Sequence, residues 1–246
     1  MSRNFTLAIA LLLFGCISVD AQRPDLLRVG ILTLSGQQVD DPYPMVWRDL
    51  ARALQDATSI ETDAIFKYPV SPTEAGLREQ GLIFLQGTAS FVGFSSLQRE
   101  ALLRWMRQGA GTLVINNVEG AGFDARIRKE IAAMFAKERL EPIPMDHAVF
   151  KSFYLVRSVG GALLRSRSLE GIKIGERYAL IYSNNDLLGA LVKTTPDTYL
   201  YNCYPGGEDQ RKETFKLVVD LFMYTLTGTY KSDVIHMPFI ERKLKR

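Results

Sequence analysis

Two polar segments follow strand-like apolar runs, and they are the first candidates for chemistry. Asn116 and Asn117 come directly after the run 112–115, and Asn184-Asn185-Asp186 follows the strong strand pattern at 177–182. In open α/β sheets, ligands bind in the crevice beyond the carboxyl ends of the strands. The side chains that we predict to line such a ligand-binding crevice are Asn116, Asn117, Asn184 and Asp186. The competing interpretation of segment 184–186 is an Asx turn that closes the strand.

Asp124 and His147 are the candidate catalytic side chains, since either could activate water. Asp124 lies near the start of a predicted helix, where its carboxylate could equally accept backbone N–H bonds or favour the helix dipole. His147 could act as a general base or a single metal ligand, or it could bond a backbone carbonyl at a turn. With Asp186, these two could in principle hold a divalent cation. Their spacing matches no recognised metal motif, so we predict no metal and no cofactor.

Alternating strands and helices must position these side chains. Apolar runs predict strands at 27–34, 60–66, 81–85, 112–115 and 177–182, with turns near 170–171 and 175–176. Predicted helices open at Asp40-Asp41-Pro42, after a Ser95–Gln98 capping box, near Phe123 and near Asp209, the last ending at Gly228. Helical spacing puts Leu97 on one apolar stripe with Ala101 and Trp105. This alternation favours an α/β fold with a doubly wound, mostly parallel sheet and helices on both faces.

The first 21 residues have the pattern of a cleaved signal peptide. Arg3 precedes an apolar run at 5–14, and Val19-Asp20-Ala21 supplies a compact cleavage site. The run is about half the ~20 residues that a spanning helix needs. We therefore expect an exported, periplasmic protein with no transmembrane span in the mature chain. A lipoprotein acylated at Cys16 is the alternative. Residues 22–230 then form a single α/β domain, followed by a tail at 231–246.

Composition excludes some partners. The net charge of +3 is too small to indicate nucleic acid, and part of it lies in the basic end of the tail. Removal of the signal peptide leaves Cys203 as the only cysteine, so no intramolecular disulfide can form. Stability must then come from the core.

Three segments in this order and spacing resemble a known bacterial family. They are the Gly-Thr-Leu-Val-Ile-Asn-Asn run at 111–117 with Phe123-Asp124, the run from Asp146 to Tyr154, and Tyr-Ser-Asn-Asn-Asp-Leu at 182–187. Together they resemble the family catalogued as domain of unknown function 4159. Where the family often has proline after the histidine, this chain has Ala148. The resemblance covers residues 27–228 and implies a flavodoxin-like fold related to class I glutamine amidotransferases. It implies no established activity and no catalytic residues.

Glutaminase chemistry requires a nucleophile that this pattern lacks. Amidotransferases place a cysteine on a strained turn between a strand and a helix. Here the strand at 112–115 continues into Asn-Asn-Val-Glu-Gly, without cysteine, serine or threonine, and Cys203 lies outside any such elbow. We therefore favour a non-catalytic domain that binds a protein, peptide or saccharide of the cell envelope. The alternative is a hydrolase that activates water with Asp124 or His147, with or without a divalent metal.

Overall fold

A computed structural model describes residues 27–34, 41–58 and 60–232. The strands of the central sheet are β1 (Leu27–Leu32), β2 (Thr62–Val70), β3 (Leu82–Gly87), β4 (Thr112–Asn117), β5 (Glu141–Pro142), β6 (Glu170–Ile174) and β7 (Arg177–Ser183). Their order is β2-β1-β3-β4-β7-β6-β5. The first five in this order pair in parallel, whereas β6 and β5 extend the sheet in antiparallel pairing. The mostly parallel α/β sheet expected from the sequence is confirmed.

The helices are α1 (Val46–Ala57), α2 (Glu74–Leu77), α3 (Ser96–Gln108), α4 (Ala121–Met134) and α5 (Gly207–Ser232). Short 3₁₀ turns cover Ala148–Phe150 and Gly189–Leu191, and β8 (Lys193–Thr195) pairs with β9 (Thr198–Tyr199) in a separate hairpin. The signal peptide and most of the predicted tail lie outside the described residues. No helix in the described ranges is long and apolar enough to cross a membrane.

Two hydrophobic cores cover the two faces of the sheet. Successive strand residues point to opposite faces, so each central strand contributes to both. Phe84 and Val114 pack in the core that contains α1 and α5, while their neighbours Ile83 and Leu113 pack in the core with α2, α3 and α4. This alternation also governs the polar residues that follow on the same strands.

Helical spacing located most of the buried stripes. Val46, Leu50 and Leu54 are buried on α1 as their spacing predicts, and the capping box of Ser95 and Gln98 is present at the start of α3. Leu97 is a correction, because it is 77% exposed. It lies in the first turn of α3, before the first buried position at Ala101, so it has no core to pack against.

Two predicted boundaries in the second half were wrong. Glu170 and Gly171, predicted to form a turn, lie in β6 and pair with Tyr182 and Ile181. The predicted turn at Gly175 is present, with φ at +62°. Gly228 does not end α5, which continues to Ser232. One glycine costs a helix only about 1 kcal/mol, which does not suffice to stop it.

The capping box gives a direct stability test. Replacing Ser95 with alanine removes the hydroxyl that accepts from the Gln98 backbone N–H at 3.3 Å. We expect a loss of about 1 kcal/mol in the free energy of unfolding, measured by urea denaturation. Ser96→Ala is the matched control, since Ser96 is an exposed first helical residue, and it should change stability by no more than a few tenths. Equal effects of the two substitutions would contradict the role of the cap.

Candidate functional site

The carboxyl ends of β3, β4 and β7 lie side by side. Gln86 pairs with Asn116, and Asn116 pairs with Ser183 across parallel neighbours. We call this end of the sheet the carboxyl edge; it comprises Gln86, Asn116, Asn117 and residues 182–186. The structure thus brings four predicted ligand-binding side chains to one edge, and Asp124 reaches the same edge from α4.

Within that edge, the predicted residues divide into two networks. Asn116 and Asn117 are consecutive on β4, so their side chains point to opposite faces of the sheet. Asn116 bonds to Asp186, whereas Asn117 bonds to Asn184 and Tyr182. The predicted ligand-binding side chains therefore do not line one continuous crevice. Both asparagines are fully buried.

The first network centres on the Asp186 carboxylate. Its Oδ1 accepts from Asn116 Nδ2 and from the Gly189 backbone N–H, each at 2.9 Å, and its Oδ2 accepts from the Tyr43 hydroxyl. Asn116 Oδ1 accepts from the Leu187 N–H at 2.7 Å. Burial raises the pKa of the Asp186 carboxyl above its ordinary value, although the donors around it act in the opposite direction. Burial, followed by the charge of Asp186, likewise raises the pKa of Tyr43.

The second network centres on the Tyr182 hydroxyl, on the α4 side of the sheet. That hydroxyl donates to Asp124 Oδ1 at 2.7 Å and accepts from Asn117 Nδ2 at 3.2 Å. Asn117 Nδ2 also donates to Asn184 Oδ1 at 2.7 Å. Asp124 forms an ion pair with Arg128 at 2.9 Å. Asp124 Oδ1 is therefore occupied by a tyrosine and an arginine. Asp124 lies in the first turn of α4, where its charge favours the helix dipole, and the N-cap residue of this helix is Gly120.

Arg165 joins the backbones at this edge. Its Nη1 donates to the carbonyls of Asn117 and Asn184, each at 3.1 Å, and its Nη2 donates to the Val118 carbonyl at 3.4 Å. Asn185 fastens the same loop, because its Oδ1 accepts from the Arg165 and Ser166 N–H groups at 2.7 and 2.8 Å. Loop 160–166 is thereby fixed against the ends of β4 and β7.

His147 lies far from these networks. Its ring contacts those of Tyr178 and Tyr224, with centroids 4.7 and 5.7 Å away, and its Nδ1 accepts from the Val149 N–H at 3.2 Å. Tyr178 is at the opposite end of β7 from Tyr182, which binds Asp124; four strand residues span about 13 Å. The two tyrosines also belong to the cores on opposite faces. Asp124 and His147 therefore do not share a site.

The Ser183 hydroxyl and the Cys203 thiol, which could serve as nucleophiles, are both buried. The Ser183 hydroxyl donates to the Asn185 carbonyl at 2.9 Å. Cys203 is buried, and burial raises the pKa of its thiol, which disfavours the thiolate that acts as nucleophile. Within the described ranges, no three His, Cys, Asp or Glu side chains are grouped to hold a metal ion.

Exposed apolar side chains border the carboxyl edge, and we call Leu163, Tyr201 and Tyr204 the tyrosine rim. Tyr201 is 43% exposed and Tyr204 is 69% exposed. The ring of Tyr201 meets that of Tyr43 edge-on, with centroids 6.2 Å apart. The backbone of Tyr204 bonds to Ala162, whose N–H donates to the Asp186 carbonyl at 2.7 Å. The rim is thus continuous with the Asp186 network.

A separate cavity of about 410 Å³ lies between α1 and the β8–β9 hairpin. Its charged lining includes Arg48 and Asp49, whose side chains approach to 3.5 Å. None of the predicted site residues lines this cavity.

Sequence reasoning missed Gln86, Tyr43 and Arg165, which help to build the edge, and it left Asn185 out of the predicted lining although the polar segment 184–186 contains it. Gln86 and Asn185 carried a usable signal, since each follows a strand pattern at the same end as the predicted asparagines. Tyr43 and Arg165 carried none, because each lies in a connection and reaches its partners only in the folded chain. Tyr43 and Asp186, for example, are 143 residues apart.

The fold and edge define an α/β protein whose strand ends carry two polar networks, one buried around Asp186 and one partly exposed around Tyr182. The sequence profile described as "Domain of unknown function (DUF4159)" matches residues 28–226, so the chain belongs to this family. The resemblance inferred from the three segments is confirmed at the level of the family. No curated protein gives a significant match to the chain.

The Asp186 network should contribute strongly to stability. Asp186→Ala leaves the Tyr43 hydroxyl, Asn116 Nδ2 and the Gly189 N–H without their acceptor, and we expect a loss of about 3 kcal/mol in the free energy of unfolding. Asp186→Asn keeps one acceptor oxygen and should lose only about 1 kcal/mol. Asp197→Ala, in an exposed turn, is the control for urea denaturation. Similar losses for alanine and asparagine at 186 would show that the network has little energetic weight.

His147 should make stability depend on pH. Burial, helped by Lys173 and Lys151, lowers the pKa of His147 in the folded chain below its ordinary value. Below about pH 6.5 the unfolded chain then binds the proton more readily, so stability should fall as pH decreases from 7 to 5. His147→Asn keeps an acceptor for the Val149 N–H without titrating, and it should flatten this dependence in urea denaturation series. If His236→Asn flattens it instead, the assignment to His147 is wrong.

Proposed function

We propose that this chain is an exported, non-catalytic binding domain on a flavodoxin-like scaffold, similar to the amidotransferases but without their nucleophile. Its ligand is a protein, peptide or saccharide of the cell envelope, and it binds at the carboxyl edge and the tyrosine rim.

The order of the parallel strands supports the scaffold. The sequence β2-β1-β3-β4-β7 reads as 2-1-3-4-5 when the parallel strands alone are counted, which is the order of flavodoxin-like doubly wound sheets. The two cores, with α1 and α5 on one face and α3 and α4 on the other, fit the same arrangement. In such sheets, ligands bind beyond the carboxyl ends of the strands.

One observation carries the choice of binding over catalysis. Most polar groups at the carboxyl edge are buried and bonded to one another, with Asn184 half-buried, while aromatic side chains beside them are exposed. A general base must reach its proton at hydrogen-bond distance or through one water. Oδ1 of the Asp124 carboxylate is instead bonded to Tyr182 and paired with Arg128. Polar groups that are already bonded to one another, beside the exposed rings of the tyrosine rim, suit recognition of a ligand surface better than proton transfer.

The alternative function, a hydrolase, is not supported by a site that Asp124 and His147 share. Asp124 lies at the carboxyl edge, and His147 lies near the opposite end of β7, against Tyr178. No single water can bridge side chains at opposite ends of a strand. Each residue would have to act without the other.

Export rests on the signal-peptide pattern of residues 1–21. Cleavage after Ala21 would release the domain into the periplasm, whereas acylation of Cys16 would tether the same domain to a membrane. Either location would expose the tyrosine rim to envelope components.

Binding is tested with rim variants of the full chain. Ligand-observed NMR would use three probes: neutral disaccharides, a tripeptide mixture and a soluble envelope extract. We expect the wild-type chain to bind at least one probe, and Leu163→Ser/Tyr201→Ser to weaken that binding about tenfold, as expected for loss of aromatic and apolar contact. Met145→Ser removes an exposed apolar side chain near His147, away from the rim, and should leave binding unchanged.

Three results would contradict the proposed function. They are binding that the rim variant leaves intact, an absence of binding to all three probes, and turnover of glutamine or nitrophenyl esters that disappears in Asp124→Asn.

A further inference from the structure

The Gln86 carboxamide has an unused donor in a buried position. Gln86 is 3% exposed, and its Nε2 has no hydrogen-bond partner among the described residues. Leaving a buried amide donor unpaired destabilises the folded state, because the donor has lost its hydrogen bonds to water. Folded proteins rarely tolerate such a group without a water, ion or ligand to accept its proton.

The orientation of this amide is fixed by the groups around it. Asn116 Oδ1 accepts from the Leu187 N–H at 2.7 Å, so Asn116 Nδ2 must be the atom that faces Asp186 and Gln86. Gln86 Oε1 then accepts from Asn116 Nδ2 at 2.9 Å. A flipped Gln86 would oppose two amino groups. The Gln86 amino group is therefore turned away from β4.

The other neighbour of β3 is β1. Gly30 and Ile31 of β1 pair with Ile83 and Phe84, and continuing this parallel register brings Thr33 beside Gln86. The Thr33 hydroxyl bonds to the Val70 carbonyl at 3.2 Å. The chain winds from β1 to β2 on one side and to β3 on the other, so the free donor lies at the reversal of strand order. Ligands of open α/β sheets bind at this reversal.

The surroundings restrict the chemistry of the acceptor. Asp186 is separated from Gln86 only by the Asn116 amide, so its carboxylate disfavours an anionic ligand. Tyr43, which donates to Asp186, carries the exposed Tyr201 ring against its own. A neutral amide donor, together with an exposed tyrosine ring that borders the same edge, matches the hydroxyl groups and the apolar C–H face of a sugar ring.

We propose that Gln86 Nε2 donates a hydrogen bond to a hydroxyl oxygen of a neutral saccharide bound at the carboxyl edge between β1 and β3. This inference rests on the proposed binding function and names its ligand class. Gln86 then determines specificity, and Tyr201 supplies the stacking surface.

Gln86→Met is the decisive variant. It preserves the length of the side chain, removes the Nε2 donor together with the Oε1 acceptor of Asn116 Nδ2, and leaves Asn116 bonded to Asp186 and Leu187. We expect the Kd for a panel of neutral disaccharides, including N,N′-diacetylchitobiose, to rise about tenfold in calorimetric titration, since one neutral hydrogen bond is lost. The melting temperature should change little, because an unpaired donor is removed as well.

Gln86→Glu, which presents an acceptor at the same position, should weaken saccharide binding at least as much. Gln98→Met, in the first turn of α3 and outside the carboxyl edge, is the matched control and should leave the Kd unchanged.

The outcomes separate this inference from the proposed function. If the rim variant weakens saccharide binding but Gln86→Met leaves the Kd within twofold, Nε2 holds only an internal water and the inference is overturned. If the tripeptides bind and no disaccharide does, the ligand class is wrong while the binding function stands. If no probe binds the wild-type chain, the proposed function itself fails.

Discussion

The alternation of side chains along β4 is the constraint on which the carboxyl edge depends. Asn116 and Asn117 are neighbours in sequence, yet one serves the α1 and α5 face and the other serves the α4 face. Because β4 lies in the centre of the sheet, this dipeptide makes hydrogen bonds on both faces of the sheet at the same strand end. A shift of one residue in the register of β4 would exchange the two partners and break both networks.

The same constraint explains why the edge is stiff. Both asparagines use donors and acceptors simultaneously, and each has a partner in a segment distant in the chain, Leu187 for Asn116 and Asn184 for Asn117. Their amides are committed within the fold, as is the Asp186 carboxylate. The exposed side chains that border this edge are those of the tyrosine rim. The Nε2 donor of Gln86 is buried there without a partner among the described residues.

The sequence predicted the parts whose causes are local. Periodic apolar residues located α1, the capping box located the start of α3, and polar residues after strand runs located Asn116, Asn117 and Asp186 at one edge. It did not predict that these residues would be divided between faces, although the period of two on β4 contained that information. Tyr43, Arg165 and the placement of His147 against Tyr178 depend on contacts between distant segments. No local pattern encodes such contacts.

Arg165 has a consequence for how an open sheet edge can face solvent. Backbone carbonyls at the end of β4 and beyond β7 have no further strand to bond with. The Arg165 guanidinium donates hydrogen bonds to three of them, those of Asn117, Val118 and Asn184. A planar cation here performs the role that an additional strand or a layer of ordered water would otherwise perform. The ends of β4 and β7 are thus closed by hydrogen bonds from one side chain of the loop that lies against them.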